Sequence, residues 1–182
     1  MIRHLFTLLL ISLLFSACDP DDPIVPNEEE VITTMTYTLT DSNNNTVVFS
    51  FKDLDGDGGN SPVVTQGTLK ANTSYEGTVE LLNEAGSPVE NITEEVQKEA
   101  DAHQFFYSST VPGIAIKYED EDNNGKPIGL YTSLVTKDAG NGTLTIVLRH
   151  QPNKSATNVA NGDITNAGGE TDIEVTFDVT VQ

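Results

Sequence analysis

The sequence predicts a mainly β protein: an antiparallel immunoglobulin-like β-sandwich with one short helix and an internal repeat of strand units. Three observations carry this. Ile173, Val175, Phe177, Val179 and Val181 alternate with Glu174, Thr176, Asp178 and Thr180, the period of a strand with one face on a core. Thr, Asn, Gly and Val are abundant, and Gly/Asn/Asp clusters separate many short apolar segments, as in sandwiches. Only one stretch of the body shows helical spacing.

The chain opens with Arg3 and His4, an apolar run from Leu5 to Phe15, then Ser16-Ala17-Cys18. A positive start, a short apolar run and small residues at a cleavage point describe a secretory signal over residues 1–17. A run that short does not span a bilayer, which takes about 20 residues. A cysteine directly after small residues resembles the bacterial lipobox. The resemblance implies cleavage before Cys18 and a diacylglycerol/acyl lipid on its thiol, anchoring the chain in a membrane. Cys18 is the sole cysteine, so no internal disulfide competes for it. An ordinary secretory signal with a chance cysteine is the plainer alternative.

Residues 18–30 follow as the lipidated cysteine and a disordered acidic tether. DPDDPIVPNEEE is rich in proline and carboxylate and nearly devoid of apolar residues, so it cannot offset its own ordering entropy. Extended, it reaches roughly 40 Å. Acidic residues just after the cysteine resemble the surface-export signals of Bacteroidota lipoproteins, which implies an outward-facing outer-membrane position; the periplasmic leaflet is the alternative.

The sandwich domain is expected over residues 31–182. Thr34–Thr40 places Met35, Tyr37 and Leu39 on one face, and Thr46–Phe51 follows the Asn43-Asn44-Asn45 turn. A helix is expected over residues 92–102, with Asn91 as N-cap, Glu94 as its capping-box partner, and Ile92, Val96 and Ala100 on one face. Thr143–Arg149 alternates with Leu144, Ile146 and Leu148 inward. A shift of 67 residues lays Phe51–Gly58 on Tyr118–Gly125 and Thr78–Leu81 on Thr145–Leu148, which suggests two related strand units.

The shared segments read Asp-x-Asp-x-(Asp/Asn)-Gly. Asp53, Asp55 and Asp57 in one loop, and Asp120, Asp122 and Asn124 in the other, place oxygens at positions one, three and five of a tight turn. Calcium takes six to eight oxygen ligands, and both loops resemble the first half of EF-hand-like and dockerin-type calcium loops. Position twelve departs from that pattern, being Val64 and Tyr131 instead of glutamate, so weak sites are expected. The bland reading is that Asp-Gly and Asn-Gly simply make favourable hairpin turns. A second, transition-metal set is Glu99, His103 and His150, with Asp172 or Glu170 completing it for zinc or copper. Lone histidines in a core are the structural alternative.

Net charge is −19, with 28 Asp+Glu against 9 Lys+Arg, which disfavours nucleic acid as a partner. No Gly-x-Ser-x-Gly elbow, His-Glu-x-x-His or phosphate loop occurs, and the one thiol is committed to lipid, so no enzyme is expected. Tryptophan is absent, leaving Phe105-Phe106-Tyr107 as the one aromatic cluster; alternation splits it between core and surface, and core packing is favoured over glycan binding.

The lipobox, the acidic tether, DLDGDGG, EADAHQFFY, LRHQPNK and GGETDIEVTF together resemble a family of small Bacteroidota lipoproteins. That resemblance implies an outer-membrane binding module near TonB-dependent receptors. A periplasmic-binding fold, a label used in that family, needs repeated βαβ units, which this pattern lacks. The expected function is a lipid-anchored, non-enzymatic cell-envelope binding module, accessory to a TonB-dependent uptake system and cation-binding. The alternatives are a structural or adhesive surface domain and a glycan-binding lipoprotein.

Overall fold

The computed structural model describes residues 30–56 and 59–182; Cys18, the leader, the tether before Glu30, and Asp57 lie outside them. The fold is mainly β, with two sheets packed face to face. In chain order the strands are β1 (Thr34–Asp41), β2 (Thr46–Lys52), β3 (Val63–Thr65), β4 (Gly67–Leu69), β5 (Ser74–Asn83), β6 (Glu90–Asn91), β7 (His103–Ser109), β8 (Ala115–Tyr118), β9 (Tyr131–Val135), β10 (Gly140–His150) and β11 (Glu170–Val181). The helix α1 (Ile92–Lys98) joins β6 to β7 through a 3₁₀ turn at Ala100–Ala102.

One sheet runs β3-β2-β1-β5-β9-β8, with β6 also on β5; the other runs β4-β11-β10-β7. All neighbours are antiparallel except β4, which lies parallel to β11. The chain crosses from one sheet to the other between β3 and β4, and Gly67 is required there. A Cβ at Gly67 would fall 2.5 Å from Val47 Cγ1 and 2.8 Å from the Phe49 ring.

Alternation sets the core. Met35, Tyr37 and Leu39 of β1, Phe49 of β2, Leu144, Ile146 and Leu148 of β10, and Phe177 of β11 are all fully buried. Each such side chain contributes about 1.5–3 kcal/mol relative to exposure. Phe49 meets Phe177 across the sandwich, and Tyr37 meets Tyr107, both with ring centroids 5.6 Å apart. The Tyr37 hydroxyl shares a 2.7 Å hydrogen bond with Thr132 Oγ1, and burial pushes its pKa up to about 12 despite that bond.

The helix begins where expected and ends early. Ile92 and Val96 are buried, and Thr93 Oγ1 accepts from Leu81 N and donates to Leu81 O, tying the helix to β5. The Asn91 side chain caps no main-chain N–H; it donates to Glu94 Oε1 instead. Helical backbone stops at Lys98, because Glu99 (φ −102, ψ 35) turns the chain into the 3₁₀ step that feeds β7.

One expectation, core packing of the aromatic cluster, holds by an unexpected route, and one needs correction. Phe106 does point away from the inter-sheet core, yet it is buried. Residues 151–169 fold back over the outer face of the four-stranded sheet and pack Val159, Ala167, Ala156 and Ile164 on Phe106 and Val147. The internal repeat stops at the hairpin. Both acidic loops connect antiparallel neighbours, β2 with β3 and β8 with β9. But β5 shares a sheet with β2 and β3, whereas β10 lies in the sheet opposite β8 and β9. Strand order differs, so the 67-residue alignment marks two similar turns.

Candidate metal centre

At one end of the sandwich four side chains converge: Glu30, His103, His150 and Asp172, with one potential ligand atom from each lying within 4.8 Å of all the others. Three of them stand on adjacent strands. His103 opens β7 and His150 closes β10, and the two are direct cross-strand partners. Alternation turns both inward, in line with Phe105 on one strand and Leu148 on the other. Their rings lie 4.7 Å apart, tilted by 44°.

Asp172 arrives by a β-bulge. Ile173 pairs with Leu148 and Thr171 with Arg149, so Asp172 is the extra residue opposite that step. Strict alternation would place it in the outward row with Glu174 and Thr176. The bulge re-aims it, and its side chain, 0 % exposed, lies 3.8 Å from His103 Nε2 and 3.6 Å from His150 Nδ1. Glu30 comes from the segment before β1, with Oε2 3.3 Å from His103 Nε2 and 3.9 Å from His150 Nδ1.

The His103 tautomer follows from its other contact. Nδ1 lies 3.1 Å from the Glu99 carbonyl oxygen, which can only accept, so Nδ1 carries the proton and Nε2 faces the carboxylates. A main-chain carbonyl on one ring nitrogen with the other aimed inward is the usual support of a metal-ligating histidine.

The spacing leaves room for an ion at the centre, with the shortest contact a 3.3 Å hydrogen bond between His103 Nε2 and Glu30 Oε2. Direct charge-assisted N–H···O⁻ bonds are about 2.7–2.9 Å long, and the four measured separations of 3.3–3.9 Å are all longer. Zinc held tetrahedrally at about 2.0–2.1 Å separates neighbouring ligand atoms by about 3.3 Å, the short end of that range. Two carboxylates also match the charge of a divalent cation. Exposure of the four side chains is 10 %, 0 %, 6 % and 0 %, so the site is closed over by protein. Two imidazoles with two carboxylates suit zinc, and copper(II) among its competitors.

Two residues of the expected set are brought together. His103 and His150 meet; Glu99 takes part through its main-chain carbonyl while its side chain is exposed. The four-residue spacing from Glu99 to His103 puts both on one face only in a continuous helix, and the chain leaves the helix between them. Glu170 is the register partner of His150 but is also exposed, so Asp172 fills that place. Glu30 was hidden by its setting in a proline- and acid-rich run.

Neighbouring residues hold the frame. Gly169 (φ +70) sits so close that a Cβ would fall 2.1 Å from the His150 carbonyl oxygen. Gln151 N donates to Ala102 O, and Lys154 Nζ donates to Ala100 O, fastening the 3₁₀ turn that leads into His103.

The acidic loops use their carboxylates differently. Asp120 accepts from Gly129 N, Leu130 N and Tyr131 N. Asp122 accepts from Asn124 N and Lys126 N and pairs at 2.9 Å with the buried Lys154 ammonium. Burial would raise the Asp122 pKa, but the Lys126 N–H, Lys154 and the Asn124 N–H together lower it. Asn124 contributes only its main-chain N–H to these bonds. In the first loop Asp53 accepts from Asp55 N and Gly56 N, and Asp55 from the Asn60 N–H and side-chain amide; those Asn60 bonds lower the Asp55 pKa.

Comparison with known proteins yields no match: no family model, curated protein or solved structure aligns with the chain. What fold and site define is a β-sandwich carrying a two-histidine, two-carboxylate cluster.

Proposed function

We propose that this chain is a lipid-anchored, non-enzymatic binding module of the cell envelope that holds one divalent transition-metal ion, of the zinc class, between Glu30, His103, His150 and Asp172. The convergence of four ligand atoms from four separate segments to within 4.8 Å carries the reading. Four protein ligands in a closed pocket leave no position for activated water, which fits binding and not hydrolysis. Anchorage at Cys18 follows from the lipobox, and service to an outer-membrane uptake system of the TonB-dependent kind from the resemblance to small Bacteroidota lipoproteins. Among the described residues no helix is long and apolar enough to cross a membrane.

Titration calorimetry of zinc into the chelator-treated full chain in mild detergent tests the metal. The expected result is one ion per chain, with affinity at least 100-fold lower in His103→Gln. Absence of any binding heat in the wild type overturns it. Recovery of a stoichiometric outer-membrane receptor with the chain from mild detergent tests the partner; recovery of the chain by itself counts against it.

A further inference from the structure

The four ligands are not held alike. His103, His150 and Asp172 sit on β7, β10 and β11, neighbours in one sheet, and their main chains are fixed by the ladders on both sides of β10. Glu30 belongs to no strand. Its segment leads into β1, in the opposite sheet, and among the described residues the first main-chain hydrogen bond along the chain is from Thr33 N to Leu82 O. Ile32 packs on the core, but Val31 is 61 % exposed, and the carboxylate contacts of Glu30 are with His103 and His150. Among the described residues, the site itself is what holds Glu30 beyond Ile32.

We infer that Glu30 is the releasable ligand of a site built for transfer: the ion enters and leaves past it, over a fixed three-ligand base. This rests on the metal-site reading. A buried site with four sheet-borne ligands would trap its ion. Here one ligand can turn away with little loss of main-chain bonding, and the ion is left with two imidazoles, one carboxylate and one open position. That position suits an imidazole or carboxylate from a receiving protein, so the ion passes by ligand exchange without being set free in water. A partner drawing metal from this module would approach the end of the sandwich where residue 30 lies.

Zinc release to a chromophoric chelator tests this, with the full chain in detergent. Glu30→Ala is expected to keep one zinc per chain, bind it 10–100-fold more weakly and release it at least tenfold faster, and Glu30→Asp to fall between. Cobalt-loaded Glu30→Ala is expected to change its visible spectrum on adding imidazole or azide, while the cobalt-loaded wild type does not. An unchanged metal-free melting temperature confirms that the variant is folded. Release at the wild-type rate, or loss of binding as complete as in His103→Gln, overturns the inference and leaves the metal site standing. A wild type that takes up no zinc removes the metal site, and the inference with it.

Discussion

The Asp120–Gly125 loop and the Glu30/His103/His150/Asp172 cluster both gather carboxylates, and they spend them in opposite ways. In the loop Asp120 and Asp122 are met by fixed donors: main-chain N–H groups for Asp120, and main-chain N–H groups with Lys154 for Asp122. In the cluster the carboxylates face two ring nitrogens at 3.3–3.9 Å around a common centre, the shortest contact being the His103–Glu30 hydrogen bond. A site needs oxygens that the fold holds apart.

The contrast breaks most visibly at the loop's own cation. Lys154→Met leaves Asp122 charged and buried, its side chain 1 % exposed, and should cost about 3–5 kcal/mol in denaturant unfolding. Zinc stoichiometry should stay at one. Because Lys154 also donates to Ala100 O, Asp122→Asn, which keeps the lysine, separates the two effects; if metal uptake disappears in that folded variant, loop and cluster are one unit and the contrast fails.

Gly169→Ala sharpens the cluster's side of it. The added methyl meets the His150 carbonyl at a positive φ, so the β10–β11 end must shift; about 1–3 kcal/mol of stability and about tenfold in zinc affinity should be lost. Unchanged affinity at reduced stability would mean that His150 is not held by this turn.

Acid titration separates turn-holding carboxylates from ordinary ones. The Asn45 side chain and main-chain N–H, with help from Lys70 and Asn43 and against burial, hold Asp41 well below the usual carboxylate range; Asp122 is lowered too. A depressed folded pKa means stability that is fully present above the unfolded value of about 4 and is lost as pH falls through the folded one. Melting temperature should therefore decline below about pH 4, and less steeply in Asp41→Asn. Equal slopes in both proteins would remove Asp41 from the account.

Calcium gives the smallest effect. Because the Asp120 and Asp122 oxygens are already committed to N–H donors and an ammonium, 1 mM calcium should move the melting midpoint by less than about 1 °C, near what a millimolar site allows at most. A rise of several degrees, reversed by chelator, would show that these oxygens exchange their partners for an ion.

The strands were legible wherever one face is buried and the other wet. Ile173–Val181 and Leu144–Leu148 announce β11 and β10 by alternation, and Asn91-Ile92 with Glu94 announces the start of α1. What distant chain decides is where such residues end up and which of them meet. Phe106 reads as a surface residue until residues 151–169 cover it. Asp172, named as a candidate beside Glu170, falls in the outward row by strict alternation until a bulge opposite Leu148 and Arg149 turns it in, and no local feature of ETDIEV marks that bulge. His103 and His150, 47 residues apart in sequence, become partners only through the β7–β10 register. Glu30 is indistinguishable in sequence from Glu28 and Glu29; only the histidines opposite it single it out.

X-ray absorption at the zinc edge, on the full chain loaded with one equivalent of zinc, reads whether the cluster holds the ion. Four light ligands at about 2.0–2.1 Å are expected, with the multiple-scattering signature of two imidazoles that falls to one in His103→Gln. A first shell of oxygen with no imidazole scattering would place the ion elsewhere and contradict the proposed site.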